Sequence, residues 1–252
     1  MKWKTVCTYI GILVLLGIGF FYDYEITHSL YDPQNIFGII FEKGMLLPVI
    51  ACAVISFAVL YAIQASLWKL GATIIIAISF VQEICQQFFI SISTPFILLL
   101  GSLLGILLCF LMKKISIQTL QKYEKRLTFF LCVFITSILI TTIVKGIWGR
   151  IRYRELQDVQ QYTKWIYMQG VNGNFSFPSG HTTAFASILC FLPIENKKVK
   201  DRLLTLGIVS LVMAMMISRL IMGAHYLSDT AVGLFITYSI YILYKNKFYK
   251  EP

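Results

Sequence analysis

The chain is organised around the stretch Phe177-Pro-Ser-Gly-His-Thr-Thr183, which an apolar run from Ala184 to Pro193 follows directly. Proline, serine and glycine in succession are a turn signal, and the change from turn to apolar run places Ser179 and Gly180 at a predicted helix N-terminus. The free backbone N–H groups and the positive dipole end of such a helix favour an anion. A histidine beside them, His181, is able to give a proton to a leaving oxygen or to take one from water.

The composition of the 252-residue chain indicates its class. Hydrophobic residues make up 58% of it and charged residues only 13%, whereas about a quarter of the residues of soluble proteins are charged. Several apolar runs of 17 or more residues predict an all-α protein, a polytopic bundle of transmembrane helices. We expect a single domain over residues 1–252, because no polar segment is long enough to fold separately.

The charged residues and the cysteines exclude other classes. The net charge of +10 does not indicate nucleic-acid binding, because the basic residues flank hydrophobic runs. That pattern is typical of topology signals and of contact with the anionic headgroups of the lipid bilayer. The six cysteines lack CxxC spacing, so we expect free thiols, with neither a disulfide framework nor a zinc site.

Eight apolar segments are candidates for the membrane-crossing helices. They are Thr5–Phe21, Met45–Ala65, Leu70–Gln82, Thr94–Met112, Leu127–Trp148, Thr182–Ile194, Leu203–Met222 and Thr230–Tyr244. The third is weak and ends in polar residues, so it is either a short span or a re-entrant helix. The first is expected to be a retained span, because no small-residue cleavage site follows it. Between the first two, Asp23 to Gly44 is predicted to be a polar loop that contains a short interfacial amphipathic helix.

The basic residues also predict the orientation of the bundle. Fifteen of the 22 Lys and Arg residues fall on the side that holds both termini, including those of a predicted basic loop from Lys113 to Arg126. The positive-inside rule therefore places both termini in the cytoplasm. It places the polar motifs at the extracytoplasmic face of the cell membrane.

A second polar stretch, Ser218 to Asp229, carries a histidine and a carboxylate. His225 and Asp229 are four residues apart, and on a helix this spacing places both side chains on one face. The carboxylate is then able to hold the imidazole in one tautomer and to stabilise its cation, which makes His225 a suitable nucleophile toward phosphorus. Arg219 lies near the end of an apolar run and needs an anionic partner or an aqueous cavity; its planar fork matches two phosphate oxygens.

A third stretch, Lys145 to Arg152, adds two cations at the outer end of another apolar segment. With Arg219, two histidines and the donors of Ser179 and Gly180, these cations suit a phosphate monoester or diphosphate. No acidic cluster is available to hold Mg²⁺, so we expect no metal and no other cofactor. Taken singly, each part has a structural explanation, such as a snorkelling basic residue or a helical His–Asp pair. Their joint occurrence on one predicted face of the membrane favours the functional interpretation.

Together the three stretches resemble the three-part signature of the type 2 phosphatidic acid phosphatase superfamily. The motifs, in the expected order, are Lys145-x6-Arg152, Pro178-Ser-Gly-His181 and Ser218-Arg219-x5-His225-x3-Asp229. The resemblance covers about residues 145–233. It implies a six-helix type of catalytic core, here residues 127–245, after N-terminal spans in residues 1–126.

The first motif departs from the family pattern at one position. Tyr153 follows Arg152, where the family usually has a proline that would stiffen the backbone. Arg150 and Arg154 flank Arg152, so the choice of Arg152 rests on its spacing from Lys145.

The resemblance implies a metal-independent reaction through a phosphohistidine. His225 would attack phosphorus, with Asp229 orienting it. His181 would protonate the leaving group and then activate water for the second step. The phosphoryl oxygens would be held by Lys145, Arg152, Ser179, Gly180 and Arg219.

The membrane spans bear on the substrate, because they favour a lipid phosphate whose tail stays in the bilayer. Undecaprenyl diphosphate is the favoured substrate, since it is released on the outer face during envelope synthesis. Phosphatidylglycerol phosphate, phosphatidic acid and lipid A phosphates remain open. So do phosphotransfer to another lipid and a binding or transport role without turnover. The loop from Leu156 to Phe175 is either a substrate-facing lid or an interfacial aromatic belt. The sequence specifies no oligomeric state.

Overall fold

The computed structural model describes residues 3–88, 90–194 and 198–249, and within these ranges the regular structure is entirely helical. This confirms the predicted all-α class. The α-helices are α1 (Trp3–Leu30), α2 (Ile36–Lys43), α3 (Leu46–Ile63), α4 (Leu67–Gln87), α5 (Thr94–Lys113), α6 (Ile117–Trp148), α7 (Gly180–Ala186), α8 (Val199–Ile221) and α9 (Leu227–Tyr249). Short 3-10 helices cover Tyr153–Glu155, Val159–Gln161 and Ser187–Phe191.

Seven helical segments of the described chain are long and apolar enough to cross a bilayer, as expected of a multi-pass membrane protein. One of them contains the weak third segment of the sequence, which is part of the 21-residue helix α4. At 1.5 Å per residue α4 is about 30 Å long, which matches the hydrocarbon core of a bilayer. Of the two alternatives for this segment, the length favours a full span.

The predicted segment Thr182–Ile194 differs from the other seven, because it is not one regular α-helix. α7 has only 7 residues and continues as the 3-10 helix Ser187–Phe191. In the third turn of α6, the guanidinium of Arg126 donates to the carbonyl of Cys190 (2.7 Å). The other end of the segment lies beside Lys145, near the end of α6. The segment therefore runs along most of α6, and the steeper rise of a 3-10 helix, about 2.0 Å per residue, lengthens it.

Two predicted loops are wrong because helices extend into them. α1 continues to Leu30, so Asp23 lies within a helix and is buried instead of starting a polar loop. The predicted basic loop Lys113–Arg126 largely consists of the first turns of α6. This helix begins after Ser116, whose side chain accepts a hydrogen bond from the backbone N–H of Thr119.

The short helix predicted between the first two spans is present as α2. Its N-cap is Asn35, whose side-chain oxygen accepts a hydrogen bond from the backbone N–H of Gly38 (3.2 Å). A Cβ atom on Gly38 would lie 2.6 Å from the sulfur of Met222, just after α8. The glycine therefore allows α2 to pack directly against the end of α8.

The core that positions the polar motifs is built from α1, α2, α3, α6, α7, α8 and α9. Its buried side chains are largely aromatic and aliphatic, among them Phe129, Phe130, Phe185, Met215 and Tyr241. α4 and α5 join the bundle chiefly through α3. They touch at Gly101 and Gly105, where a Cβ atom would lie 2.4 and 2.9 Å from the Cα atoms of Ile78 and Ile74. Such small residues permit the close helix packing that is common in membranes.

Helices α1 and α9 are antiparallel neighbours. The hydroxyl of Tyr9 donates to that of Ser239 (3.1 Å), and Asp23 accepts a hydrogen bond from the backbone N–H of Ser228 (2.9 Å). The start of α1 and the end of α9 therefore lie at the same end of the bundle. The polar motifs lie at the other end.

Candidate active site

Three segments meet at this polar end: the last turn of α6, the start of α7 and the turn between α8 and α9. Lys145 lies in the last turn of α6, which ends at Trp148. The next residue, Gly149, is left-handed (φ 70°), and a Cβ atom there would lie 2.1 Å from the carbonyl oxygen of Gly170. Only glycine permits this turn, which directs the chain toward the start of α9.

The Pro178-Ser-Gly-His181 stretch begins α7, as the sequence predicts. Ser179 is the N-cap, and its oxygen accepts hydrogen bonds from the backbone N–H (3.3 Å) and the hydroxyl (3.0 Å) of Thr182. The backbone N–H of Ser179 donates to the carbonyl of Asp229 (3.0 Å). None of these contacts uses the hydroxyl hydrogen of the buried Ser179 side chain.

His225 does not lie on a helix with Asp229, contrary to the spacing argument. α8 ends at Ile221 and the chain turns through Gly223 (φ 58°), so His225 precedes the first residue of α9, Leu227. The turn nevertheless brings the pair together, with Nδ1 of His225 lying 3.6 Å from Oδ2 of Asp229. This distance is a close approach and is longer than a hydrogen bond.

Burial keeps both histidines of the site neutral. For His225, burial lowers the pKa to about 3, although the nearby carboxylate of Asp229 opposes the shift. For His181, burial and then the neighbouring positive charges, foremost that of Arg219, lower the pKa well below its usual value. A neutral imidazole has a free lone pair, which a nucleophile or a general base requires.

Two arginines present buried donors that no protein group accepts. Arg219 is only 2% exposed; its Nη2 donates to Glu42 (3.0 Å), whereas its Nε and Nη1 have no partner in the described part of the protein. Arg152 uses Nη1 for Glu155 (2.9 Å), and its buried Nε is likewise without a partner there. Buried donors without acceptors are unfavourable. This end of the bundle is therefore prepared to bind an anion.

The structure brings the predicted site residues together. Nζ of Lys145 lies 3.7 Å from the position that a Cβ atom would take on Gly180. The positive charges of Lys145, Arg152 and Arg219 all act on His181, which requires their proximity to it. Among the described residues, no group of three or more His, Cys, Asp or Glu side chains is arranged to hold a metal ion.

Arg150 is a buried residue, 1% exposed, that the sequence motifs do not single out. Its Nη1 donates to Oδ1 of Asp229 (2.5 Å) and its Nη2 to Oδ2 of Asp23 (3.0 Å). Arg150 is thus engaged with carboxylates, whereas Arg152 keeps an unpartnered donor, and this difference favours Arg152 as the arginine that faces an anion. One signal in the sequence could have indicated the role of Arg150. Asp23 is an acidic residue that follows an apolar run, and a buried carboxylate requires a cation as its partner.

Glu42 is another residue that the sequence motifs do not single out. Its Oε1 accepts from Nη2 of Arg219 and from Nη1 of Arg154, both at 3.0 Å. α2 therefore supplies a carboxylate that holds one edge of the Arg219 guanidinium. Nε and Nη1 of Arg219 remain without a partner in the described part of the protein.

The loop Leu156–Phe175 contacts the site directly. The carbonyl of Thr163 accepts from Nε of Arg150 (3.0 Å), and the ring centre of Tyr162 lies 5.5 Å from the same guanidinium. Trp165 stacks on Phe177, with ring centres 6.3 Å apart. The loop therefore covers Arg150, and its function as a lid or an aromatic belt stays a prediction.

Comparison with known proteins adds to these observations. The family model of the PAP2 superfamily matches residues 126–251. A lipid A 4'-phosphatase of Porphyromonas gingivalis is 30% identical over 118 residues, which are 45% of this chain and 48% of that protein. The match thus spans about half the length of this relative. No solved structure matches the chain. The family-model match confirms the resemblance that the three motifs indicate. Because the family model covers half of the sequence, the chain belongs to the PAP2 superfamily.

Proposed function

We propose that this protein is an integral membrane phosphatase that removes phosphate from a lipid phosphate or diphosphate through a phosphohistidine. The observation that carries the proposal is the neutral, buried His225, which Asp229 approaches at Nδ1 and on which the positive charges of Lys145 and Arg219 act. Because Nδ1 faces the carboxylate, Nε2 is the nitrogen free to attack phosphorus.

In the first step, the lone pair on Nε2 of His225 forms the N–P bond while the bond from phosphorus to the leaving oxygen breaks. Asp229 stabilises the positive charge that develops on the imidazole. His181 gives a proton to the leaving oxygen. Its pKa is low without substrate, and the negative charge of a bound phosphate opposes this shift and favours the protonated form that the step requires.

In the second step, water displaces the imidazole of His225 from phosphorus. His181, now neutral, takes a proton from water, whose oxygen bonds to phosphorus while the N–P bond breaks and its electron pair returns to Nε2. Inorganic phosphate then leaves. The developing charge on the oxygens is stabilised by donors of Lys145, Arg152, Ser179, Gly180 and Arg219. Since these cations are sufficient to neutralise a phosphoryl group, the reaction is proposed to need no metal.

The proposed location is the cell membrane, with the site at the extracytoplasmic face and both termini in the cytoplasm. Support comes from the excess of basic residues at the end of the bundle opposite the site. Membrane-crossing helices around the site allow a lipid to present its headgroup while its tail stays in the bilayer.

Two substrate classes have specific support. Undecaprenyl diphosphate is favoured by the outward position proposed for the site. A phosphate of lipid A is favoured by the similarity to the Porphyromonas gingivalis lipid A 4'-phosphatase. Phosphatidylglycerol phosphate and phosphatidic acid share the same phosphoryl chemistry. Phosphotransfer to a second lipid, or binding without turnover, are the competing functions.

Phosphate release tests the proposal directly. Detergent-purified protein is incubated with each of the four lipids in the presence of EDTA, and the His225→Ala variant serves as the blank. Release above the blank supports the phosphatase, and the lipid with the highest kcat/KM identifies the substrate class. No release from any lipid would contradict it. In that case, phosphate transfer on addition of an acceptor lipid would indicate a phosphotransferase, and lipid binding alone a binding protein.

A further inference from the structure

A buried ionic network lies behind Asp229, on the side away from His225. It consists of Asp23 on α1, Arg150 after α6, and Asp229 and Ser228 at the start of α9. The two carboxylates and the serine are fully buried, and the guanidinium is 1% exposed. Two acids and one base in such surroundings are stable only if their hydrogen bonds are nearly complete.

The contacts divide the two oxygens of Asp229 between different partners. Oδ1 accepts from Nη1 of Arg150 (2.5 Å). Oδ2 accepts from the hydroxyl of Ser176 (2.5 Å) and the backbone N–H of Tyr226 (3.0 Å), and the same oxygen approaches His225. With both oxygens fixed, the carboxylate has one orientation toward the imidazole.

Asp23 fixes Arg150 from the opposite side. Its Oδ2 accepts from Nη2 of Arg150 (3.0 Å) and from the hydroxyl of Ser228. Its Oδ1 accepts from the backbone N–H of Ser228 (2.9 Å), one of the free donors in the first turn of α9. The ring of Tyr226 lies 4.1 Å from the guanidinium and closes one face of it. A residue of the first helix thus holds both the arginine and the helix that position Asp229.

The approach of α1 to this network depends on one glycine. A Cβ atom on Gly19, one turn before Asp23, would lie 3.0 Å from Cβ of Ser228 and 2.9 Å from Oδ1 of Asp23. Gly17 has no heavy atom within 4 Å of its Cβ position. The two glycines therefore offer a matched pair of substitutions on the same helix.

We propose that Asp23 and Arg150 are positioning residues for the nucleophile, which act through Asp229 without touching the substrate. The inference rests on the proposed phosphatase function. It predicts that loss of Asp23 lowers the rate of the chemical step, because His225 loses its fixed orientation. Binding of phosphate is retained, because Arg219 and Arg152 remain in place.

The first test is the Asp23→Asn variant, which keeps the shape of the side chain. Asparagine has one acceptor oxygen, so it keeps either the backbone N–H of Ser228 or the two donors at Oδ2, from Arg150 and the Ser228 hydroxyl, but not both sets. We expect kcat for the best lipid substrate to fall about 10- to 100-fold, the effect of small misplacements of reacting groups. KM and the inhibition constant of inorganic phosphate should stay within about threefold of the wild-type values, a margin below 1 kcal/mol.

The glycine pair keeps the inference testable if Asp23→Asn does not fold. Gly19→Ala should lower kcat several-fold without changing inhibition by inorganic phosphate, because the added methyl group displaces Ser228 and Asp23. Gly17→Ala, with the same change in helix propensity, should match the wild type. Thermal unfolding in detergent is measured for every variant.

The outcomes separate this inference from the proposed function. A selective loss of kcat in Asp23→Asn or Gly19→Ala, with Gly17→Ala unaffected, supports the positioning role. Full activity in both, or equal losses of kcat and phosphate affinity, would overturn it while the phosphatase function stands. If the wild type releases no more phosphate than His225→Ala, the proposed function fails and the inference with it.

Discussion

Replacing Arg219 by lysine tests whether the geometry of its guanidinium is required in addition to its charge. In the structure Nη2 is held by Glu42 (3.0 Å), and Nε and Nη1 are buried without a partner. Lysine has a single nitrogen, which cannot contact Glu42 and span two phosphate oxygens in the same way. The variant should lose at least one charge-assisted hydrogen bond to phosphate, worth about 1.5–3 kcal/mol. We therefore expect kcat/KM to fall about 10- to 150-fold.

The assay is phosphate release from mixed micelles of detergent and lipid, with Arg154→Lys as the matched control. Arg154 donates to the same oxygen of Glu42 at the same distance, but it is 34% exposed. An exposed ion pair contributes at most about 1 kcal/mol, so this control should stay within about fivefold of the wild type. Near-normal kinetics of Arg219→Lys would refute the reasoning. So would equal losses in both variants, since only one of the two arginines is buried.

Three further predictions concern the nucleophile and the metal. His225→Ala should abolish turnover while inorganic phosphate still binds, because the cations remain. Retained activity would contradict the phosphohistidine mechanism. Activity should survive excess EDTA, and loss on chelation with rescue by Mg²⁺ would contradict the proposed chemistry. The midpoint temperature of thermal unfolding without substrate should be lower at pH 5 than at pH 7, because unfolding raises the pKa of His225 from about 3 to its ordinary 6.5. The folded state then loses about 1.4 kcal/mol for each pH unit below 6.5. His225→Gln should show a shallower decline, and an unchanged slope would show that His225 does not titrate this way.

The sequence predicted the parts of the protein that local patterns determine. Apolar runs located the spans, and the turn signal before His181 located the start of α7. The four-residue spacing of His225 and Asp229 predicted their proximity for a reason that was wrong. Gly223 ends the helical path, and a turn brings the pair together instead.

The remaining features depend on contacts between residues that are far apart in the chain. Asp23 and Arg150 are 127 positions apart, and Glu42 and Arg219 are 177 apart. Hydrophobic periodicity does not show which polar group at the end of a span faces another helix, so Asp23 was assigned to a loop. The 3-10 continuation of α7 was equally hidden, because an apolar run does not distinguish a 3-10 helix from an α-helix.

The position of Asp23 has a consequence for what counts as the smallest complete unit of this protein. The segment that defines the family begins at residue 126, yet the carboxylate that caps α9 and holds Arg150 comes from the first helix. A fragment restricted to residues 126–251 would contain the three motifs and leave Arg150 with one carboxylate instead of two. The first helix and the last are thus joined beside Asp229, and the first helix supplies part of the surroundings that hold this residue.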